Sequence, residues 1–349
     1  MKAAVYHGPR DIRVETVPDP ALQRPTDAVV RVVNAAICGS DLWPYRGIAT
    51  NWTAGSRIGH EFIGVVEEAG ADLRTFKRGD IVAAPFSYSD NTCDYCHAGI
   101  YTSCRHGGFW GGADEDGGQG QFVRVPFADG TLRPIPAAVA HDEKKRASAL
   151  TLTDVMSTGH HGCVRAGVKA GSSVAVIGDG AVGLCAIISA HRSNAARIFA
   201  LGHHAARLEL ARAFGATDIV DSKDPDAAQK IIDATDGGVA CVVEAVGSQA
   251  TMDLGVSIVR PGGTLAYVGV PYGVSTFNAR KLFSDNISIA GALAPTRAYI
   301  DELMTDVVLG KIDPGAVLTL RLPLEGTPDG YKAMDDRSTI KVLLEISAV

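Results

Sequence analysis

The sequence predicts a two-domain α/β chain in which a strand-rich, β-barrel-type domain is joined to a doubly wound sheet. Three observations predict it. The chain has 349 residues, more than one simple core carries. Residues 1–152 are rich in strand-like runs and carry turn signals at Gly8-Pro9, Pro18-Asp19-Pro20, Gly70, Gly79-Asp80 and Gly111-Gly112. From residue 153 the pattern changes to short apolar runs alternating with helical stretches.

In the first region, Ala28 to Ile37 is an apolar, β-branched run containing Val29, Val30, Val32 and Val33. It reads as a strand that delivers Cys38 at its end. His60 opens a second strand-like run, Phe62 to Val66. A thiolate and an imidazole on rigid strands suit a borderline-soft ion such as zinc. A catalytic zinc needs a third protein ligand and one open position. Glu61, next in sequence, and Asp154, far along the chain, are the candidates.

A second constellation reads Asp90-x2-Cys93-x2-Cys96-x7-Cys104. Cysteines two apart in a tight turn can share one ion, and Cys104 can close the site. Asp90 stands as the fourth group, so the set is either three thiolates plus a carboxylate or an empty site. His97 and His106 read as bystanders, and the Gly-rich stretch Gly111 to Gly120 as a solvated loop. Cys163, Cys185 and Cys241 read as small core residues. The total of seven cysteines is odd, which with the clustering argues for metal ligation in a reducing compartment, the cytoplasm by default.

In the second region, Val174 to Ile177 is a short apolar run typical of a buried parallel strand. Gly178-Asp179-Gly180-Ala181-Val182-Gly183 follows, then a helical run Leu184 to Ala190. Gly-x-Gly-x-x-Gly between strand and helix is a dinucleotide signature. Gly178, Gly180 and Gly183 permit the turn and close approach of a pyrophosphate to a helix N-terminus. Further alternation supports it: strands at Arg197 to Leu201, Ile219-Val220, Cys241 to Ala245 and Thr264 to Val268, with helices at Ala205 to Phe214, 226–234 and Thr251 to Val259.

The end of the second strand sets cofactor choice. An acidic residue there would bond the ribose 2′-hydroxyl of NAD. The sequence places Gly202, His203, His204 and Arg207 there, with no carboxylate, so NADP(H) is the expected cofactor and NAD the alternative. The strand ends carrying Val246 and Val268 are expected along the nicotinamide half.

The remaining properties exclude other classes. Net charge is −6, so no general affinity for nucleic acid is expected. No apolar run reaches bilayer length, and the N-terminus reads as a first strand, not a signal peptide.

Cys38-Gly39-Ser40-Asp41 and Gly59-His60-Glu61, with Gly64 and Gly70, resemble the zinc-dependent medium-chain alcohol dehydrogenases. Thr153-Asp154-Val155-Met156-Ser157-Thr158-Gly159 resembles the branch of that family with an aspartate ligand. The resemblance implies a GroES-like catalytic domain (residues 1–152), a Rossmann domain (153–289) and a return segment (290–349) that rejoins the first domain, with the active site in the cleft between them. It implies catalytic zinc on Cys38, His60 and Asp154, with Glu61 as alternate ligand. Asp90, Cys93, Cys96 and Cys104 would hold structural zinc, Asp90 departing from the family's four cysteines. Ser40 would take the alcohol proton and Asp41 would hold the ligand histidine. Leu293 would touch the carboxamide. Lys341 resembles a lysine that contacts a cofactor phosphate, or is an exposed strand lysine. The family's relay histidine is replaced by Trp43, which with Phe109 and Trp110 either lines a substrate pocket or packs in the core. His160 and His161 are expected to precede a helix. The function implied is hydride transfer between a small alcohol, ketone or aldehyde and NADP(H), in a homodimer or homotetramer. A metal-free NADPH-dependent quinone or enoyl reductase and a non-catalytic NADPH-binding protein are the alternatives.

Overall fold

The computed structural model describes residues 1–112 and 115–349. The chain divides into two compact units, Met1–Asp154 with Pro295–Val349, and Val155–Ala294. The divisions fall slightly later than the sequence pattern suggests. Asp154 therefore belongs to the first unit and Leu293 to the second.

The first unit is built on a seven-stranded sheet. Its path runs Leu318–Pro323, Lys341–Glu345, Ala28–Ile37, Glu61–Ala69, Ile81–Ala84 and Arg133–Pro134, with Phe122–Val125 paired to Ala28–Ile37. Ala28–Ile37 is the central strand. One edge pairs with Glu61–Ala69, and the other with Phe122–Val125 at its start and Lys341–Glu345 at its end. All of its residues but Arg31 are buried, which is why the run is apolar on both faces apart from Arg31 and Asn34 instead of strictly alternating. Val30, Val32, Phe62, Val66, Val82, Val123, Leu132, Val342 and Leu344 belong to one core cluster. The return segment is thus part of this core.

Short helices interrupt the strands, and a nine-residue helix, Glu143–Thr151, was not legible as such. Its N-cap Asp142 accepts from the Lys145 amide, satisfying an otherwise orphan donor. The stretch read as a solvated loop is only partly so. Residues 113–114 lie outside the described residues, but Gln119 is fully buried and the amides of Gly117, Gly118 and Gln119 bond the backbone of Arg57, Gly59 and Ile58.

The second unit holds a six-stranded sheet in which every pairing is parallel. Its order is Asp218–Asp221, Arg197–Gly202, Ser173–Ile177, Val239–Glu244, Val259–Tyr267, Ser288–Gly291. Numbered within the unit this is 3-2-1-4-5-6, the doubly wound arrangement whose order reverses beside the first strand. His160 and His161 lie inside the helix Val155–Ala166 and are buried, not ahead of a helix as expected. That helix packs closely on Ala181–Arg192: a Cβ on Gly159 would stand 2.5 Å from the Ala186 amide nitrogen. Among the described residues no helix is long and apolar enough to cross a membrane.

Candidate active site and metal centres

Sheet register brings the first constellation together. Ala36 pairs with Glu61 and Ile37 with Val342 in antiparallel ladders. Cys38, His60 and Lys341 therefore stand at adjoining strand ends. The fourth member arrives by another route. After Glu143–Thr151 the chain turns, and the Thr153 carbonyl accepts from the Phe86 amide at 3.0 Å. Phe86 follows the strand Ile81–Ala84, which pairs with Glu61–Ala69. That tie presents Asp154 to the same corner.

Cys38 Sγ lies 3.3 Å from Asp154 Oδ2, and His60 Nε2 lies 3.2 Å from the same oxygen. Donor atoms of Cys38, His60, Glu61 and Asp154 all fall within 4.8 Å of one another. A tetrahedron with bonds of about 2.0–2.3 Å has edges of about 3.3–3.8 Å, so the spacing suits zinc. Two further observations agree. Glu61 Oε2 is buried without a hydrogen-bond partner, an acceptor that a cation satisfies. Burial, reinforced by Asp154 and Glu61, pushes the Cys38 thiol up to about 11, so its proton leaves only when positive charge arrives.

Around this set lies a shell that fixes it. His60 Nδ1 is 3.2 Å from Asp41 Oδ1, which turns Nε2 inward. Asp41 is buried and accepts from the Cys38 amide at 3.0 Å. The buried Tyr331 hydroxyl sits 3.4 Å from Asp41 Oδ2 and 3.0 Å from Gln119 Oε1. Gln119 Nε2 donates to the Ala36 carbonyl at 3.2 Å. Tyr331 and Gln119 carry no motif, and sequence reading missed both. Ser40 is half-buried on the turn Gly39–Asp41.

Lys341 needs correction. It is not an exposed strand lysine. Its side chain is 1% exposed and Nζ lies 2.5 Å from Glu61 Oε1, while donating to the Ile37 carbonyl at 3.0 Å. An ammonium buried at the start of a central ladder is stable only beside an opposite charge. Trp110 is core: 4% exposed, it packs edge-on to Phe62 and donates to the Pro85 carbonyl. Phe109 is half-exposed and stacks on Phe86. Trp43 is partly buried in a one-turn helix.

The second constellation is equally compact. Asp90 Oδ1 lies 3.4 Å from Cys96 Sγ and 3.2 Å from Cys104 Sγ. Cys93 Sγ is 3.6 Å from Cys96 Sγ and 3.9 Å from Cys104 Sγ. These separations also suit a tetrahedral ion held by three thiolates and a carboxylate. His106, read as a bystander, is bonded to the set: its Nδ1 is 2.5 Å from Asp90 Oδ2. Burial opposes ionisation of Asp90, but His106 and Thr92 hold its carboxyl far below the usual range. His97 touches this lobe through its backbone, its amide donating to the Cys93 carbonyl at 3.0 Å.

In the second unit Gly178 has φ +116°, and a Cβ on Gly183 would stand 1.9 Å from the Gly178 carbonyl oxygen. Both positions exclude a side chain. Gly180 caps the twelve-residue helix Ala181–Arg192, and the space its Cβ would enter is open. A half-buried helix N-terminus above a glycine turn can cradle a pyrophosphate. Buried Glu244, also unpredicted, accepts from the Val246 and Gly247 amides, each at 2.8 Å, and shapes the turn that follows its own strand. Val246 and Leu293 are exposed apolar side chains, and the Val268 amide donates to Glu244 O at 2.8 Å.

The expectation that no carboxylate stands at the second strand end is wrong. Asp179, between the first two glycines, supplies one. Its Oδ2 accepts from the His203 and His204 amides at 2.9 Å each and lies 2.9 Å from His204 Nδ1. Arg207 Nη1 is 3.9 Å from Oδ1. Gly202 is small because Asp179 fills its side-chain space: a Cβ there would stand 2.5 Å from Asp179 Cβ.

Two donor sets that could each hold a metal ion and a glycine turn at a helix start, on this pair of folds, are the features of a metal-dependent dehydrogenase. Residues 24–137 match the alcohol dehydrogenase GroES-like domain and residues 181–308 match the zinc-binding dehydrogenase family. A Mycobacterium tuberculosis protein named for zinc-binding alcohol dehydrogenase is 38% identical over 97% of this chain and 86% of its own. The alcohol dehydrogenase TADH of Thermus sp. ATN1 superposes with TM-score 0.93 at 35% identity, over 99% of this chain and all of its own. A Sinorhizobium meliloti 1021 structure, named for a zinc-binding dehydrogenase and bound to NADP, superposes with TM-score 0.87 at 27% identity, over 99% of this chain and 98% of its own. The chain belongs to the zinc-dependent medium-chain dehydrogenase family and is a zinc-type oxidoreductase of the alcohol dehydrogenase kind.

Proposed function

We propose that this chain interconverts small alcohols, secondary ones foremost, with their ketones or aldehydes. Cys38, His60 and Asp154 would hold the catalytic zinc, Glu61 would serve as alternate ligand, and Asp90, Cys93, Cys96 and Cys104 would hold a structural zinc. The observation that carries this reading is the convergence of Cys38 Sγ and His60 Nε2 on Asp154 Oδ2, at 3.3 and 3.2 Å. Bound zinc supplies Lewis acidity that acidifies an oxygen beside it, and the nicotinamide accepts or returns the hydride.

The chain's own residues do the rest. Asp41 and Tyr331 keep His60 aimed inward. Ser40, two residues past Cys38, takes the hydroxyl proton of the alcohol and hands it to water or to the cofactor ribose, since Trp43 replaces the usual relay histidine. Gly178, Gly180 and Gly183 seat the pyrophosphate, and Val246, Val268 and Leu293 take the nicotinamide half. Two readings of the dinucleotide compete. Gly202, Arg207 and the NADP-bound relative favour NADP(H); Asp179 favours NAD(H). Homodimeric or homotetrameric assembly follows from the family resemblance, and the free cysteines suit the cytoplasm.

The test is a panel of alcohols and carbonyls assayed with both dinucleotides, with zinc measured per chain. Two zinc ions and turnover of secondary alcohols are expected. A metal-free chain that reduces quinones or enones would sink the proposal.

A further inference from the structure

We propose that Asp179 reads the adenosine ribose, accepting a 2′-hydroxyl and turning away a 2′-phosphate, so that the chain prefers NAD(H). The inference rests on the dinucleotide-dependent reading given above and selects the cofactor within it.

The placement follows from the sheet. Ile177 pairs with Leu201 in parallel register, and the Gly178 amide donates to the Leu201 carbonyl at 2.9 Å. The glycine turn therefore runs beside the end of the second strand. Asp179 leaves that turn sideways and enters the space a side chain at position 202 would occupy.

What it binds there matters most. The amides of His203 and His204 lead into the helix Ala205–Ala213, of which His204 is the N-cap. Two successive amides at a helix start form a ready seat for a phosphate. Asp179 Oδ2 already occupies that seat, 2.9 Å from both nitrogens. The ring of His204 and the guanidinium of Arg207, the donors that would otherwise greet a phosphate, face the same carboxylate. His203 is turned towards Ser222, with Nδ1 3.2 Å from its Oγ. Burial opposes ionisation of Asp179, but the His204 amide and ring and the His203 amide hold its carboxyl below the usual value. It is an anion at neutral pH.

A 2′-phosphate would have to displace this carboxylate or lie against it, and like charges in contact repel. A 2′-hydroxyl can donate to it. Asp179 thus does from the glycine loop what an acidic residue at the strand end does elsewhere. Gly202 makes room for that carboxylate and not for a phosphate.

The experiment measures binding without chemistry. Isothermal titration of the zinc-loaded full chain with NAD, NADP, 5′-ADP and 2′,5′-ADP isolates the adenosine end. The unaltered chain is expected to bind NAD and 5′-ADP at least about tenfold tighter than the 2′-phosphorylated partner. Asp179→Asn should move that ratio towards the phosphorylated ligands by about tenfold or more. Tighter binding of 2′,5′-ADP by the unaltered chain would overturn the proposal, and does so even where the variant fails to fold. An Asp179→Asn variant that weakens all four ligands equally would overturn it too, making the residue a brace for the turn. A chain that binds in the expected ratio but oxidises no alcohol would sink the dehydrogenase reading alone, and one that binds none of the four sinks both.

Discussion

Lys341 is the residue on which the charge balance of the first metal set turns. The set holds a thiol, two carboxyls and an imidazole, and Lys341 is a fully buried cation committed to one of those carboxyls. Burial raises the Glu61 carboxyl to about 7, with Lys341 pulling the other way, and Glu61 in turn holds the ammonium above its ordinary value despite burial. Lys341→Met should destabilise the fold by about 3–5 kcal/mol, because it strands a buried carboxylate. The double variant Lys341→Met/Glu61→Gln should recover most of that loss. Urea midpoints of the three proteins check it; a double variant no better than the single one would refute the ion-pair account.

Asp154→Ala removes the atom on which two other donors converge. Zinc content should fall by one ion per chain and turnover by at least about 100-fold, since loss even of supporting groups around a metal costs 10–100-fold. Elemental analysis and initial rates together decide; full zinc content in the variant would count against Asp154 as a ligand. His161 predicts a pH effect. Burial, with Arg165 and His160 adding to it, lowers its pKa from 6.5 to about 4. The unfolded chain therefore binds the extra proton between pH 6.5 and 4 and the folded chain does not. Stability supplied by neutral His161 is complete above pH 6.5 and fades as pH falls towards 4. After discounting for partial exposure this is about 1–2 kcal/mol. His161→Gln should flatten that part of the stability profile, as followed by denaturation at pH 7.5, 5.5 and 4.5.

At the scale of elements, two short segments do disproportionate work. The turn Gly178 to Gly183 lets a helix start directly over a strand end. Gly183→Ala puts a methyl against the Gly178 carbonyl and should push the helix Ala181–Arg192 off the sheet. Loss of dinucleotide binding with zinc content intact is the expected signature. The segment Asp90 to Cys104 has little core of its own, and its geometry depends on four donors gathered at one point. Cys96→Ser should cost one zinc and lower the melting temperature by more than about 5 °C, because structural metal binding is folding free energy. Equal melting curves with and without chelator would show that this lobe stands without metal.

At the scale of the molecule, the chain leaves the first unit at Asp154 and returns at Pro295. The return is not an appendage. Leu318–Pro323 and Lys341–Glu345 are strands of the first sheet, and Tyr331 belongs to its core and to the support of His60. A fragment of residues 155–294 should fold alone and show a cooperative melt, since its sheet is complete within it. Residues 1–154 alone should not, because Ile37 and its neighbours lose the strand that covers them. Circular dichroism of the two fragments distinguishes them.

The sequence by itself determined what is local. Strand Ala28–Ile37 announces itself by a valine-rich, mainly apolar run, the glycine turn by spacing between strand and helix, and the Asp90 to Cys104 lobe by ligands close together in the chain. Cys38, His60 and Asp154 were legible as candidates because their short motifs survive out of context. Tertiary structure decided what depends on long-range register. Only the antiparallel ladders place Lys341 on Glu61, and only packing of a remote helix sets Tyr331 beside Asp41. The parallel pairing of the first two strands carries Asp179 to the side of Gly202. Side-chain reach across a sheet leaves no periodicity in one dimension, so the carboxylate at the ribose end had no sequence signal at the position where it acts.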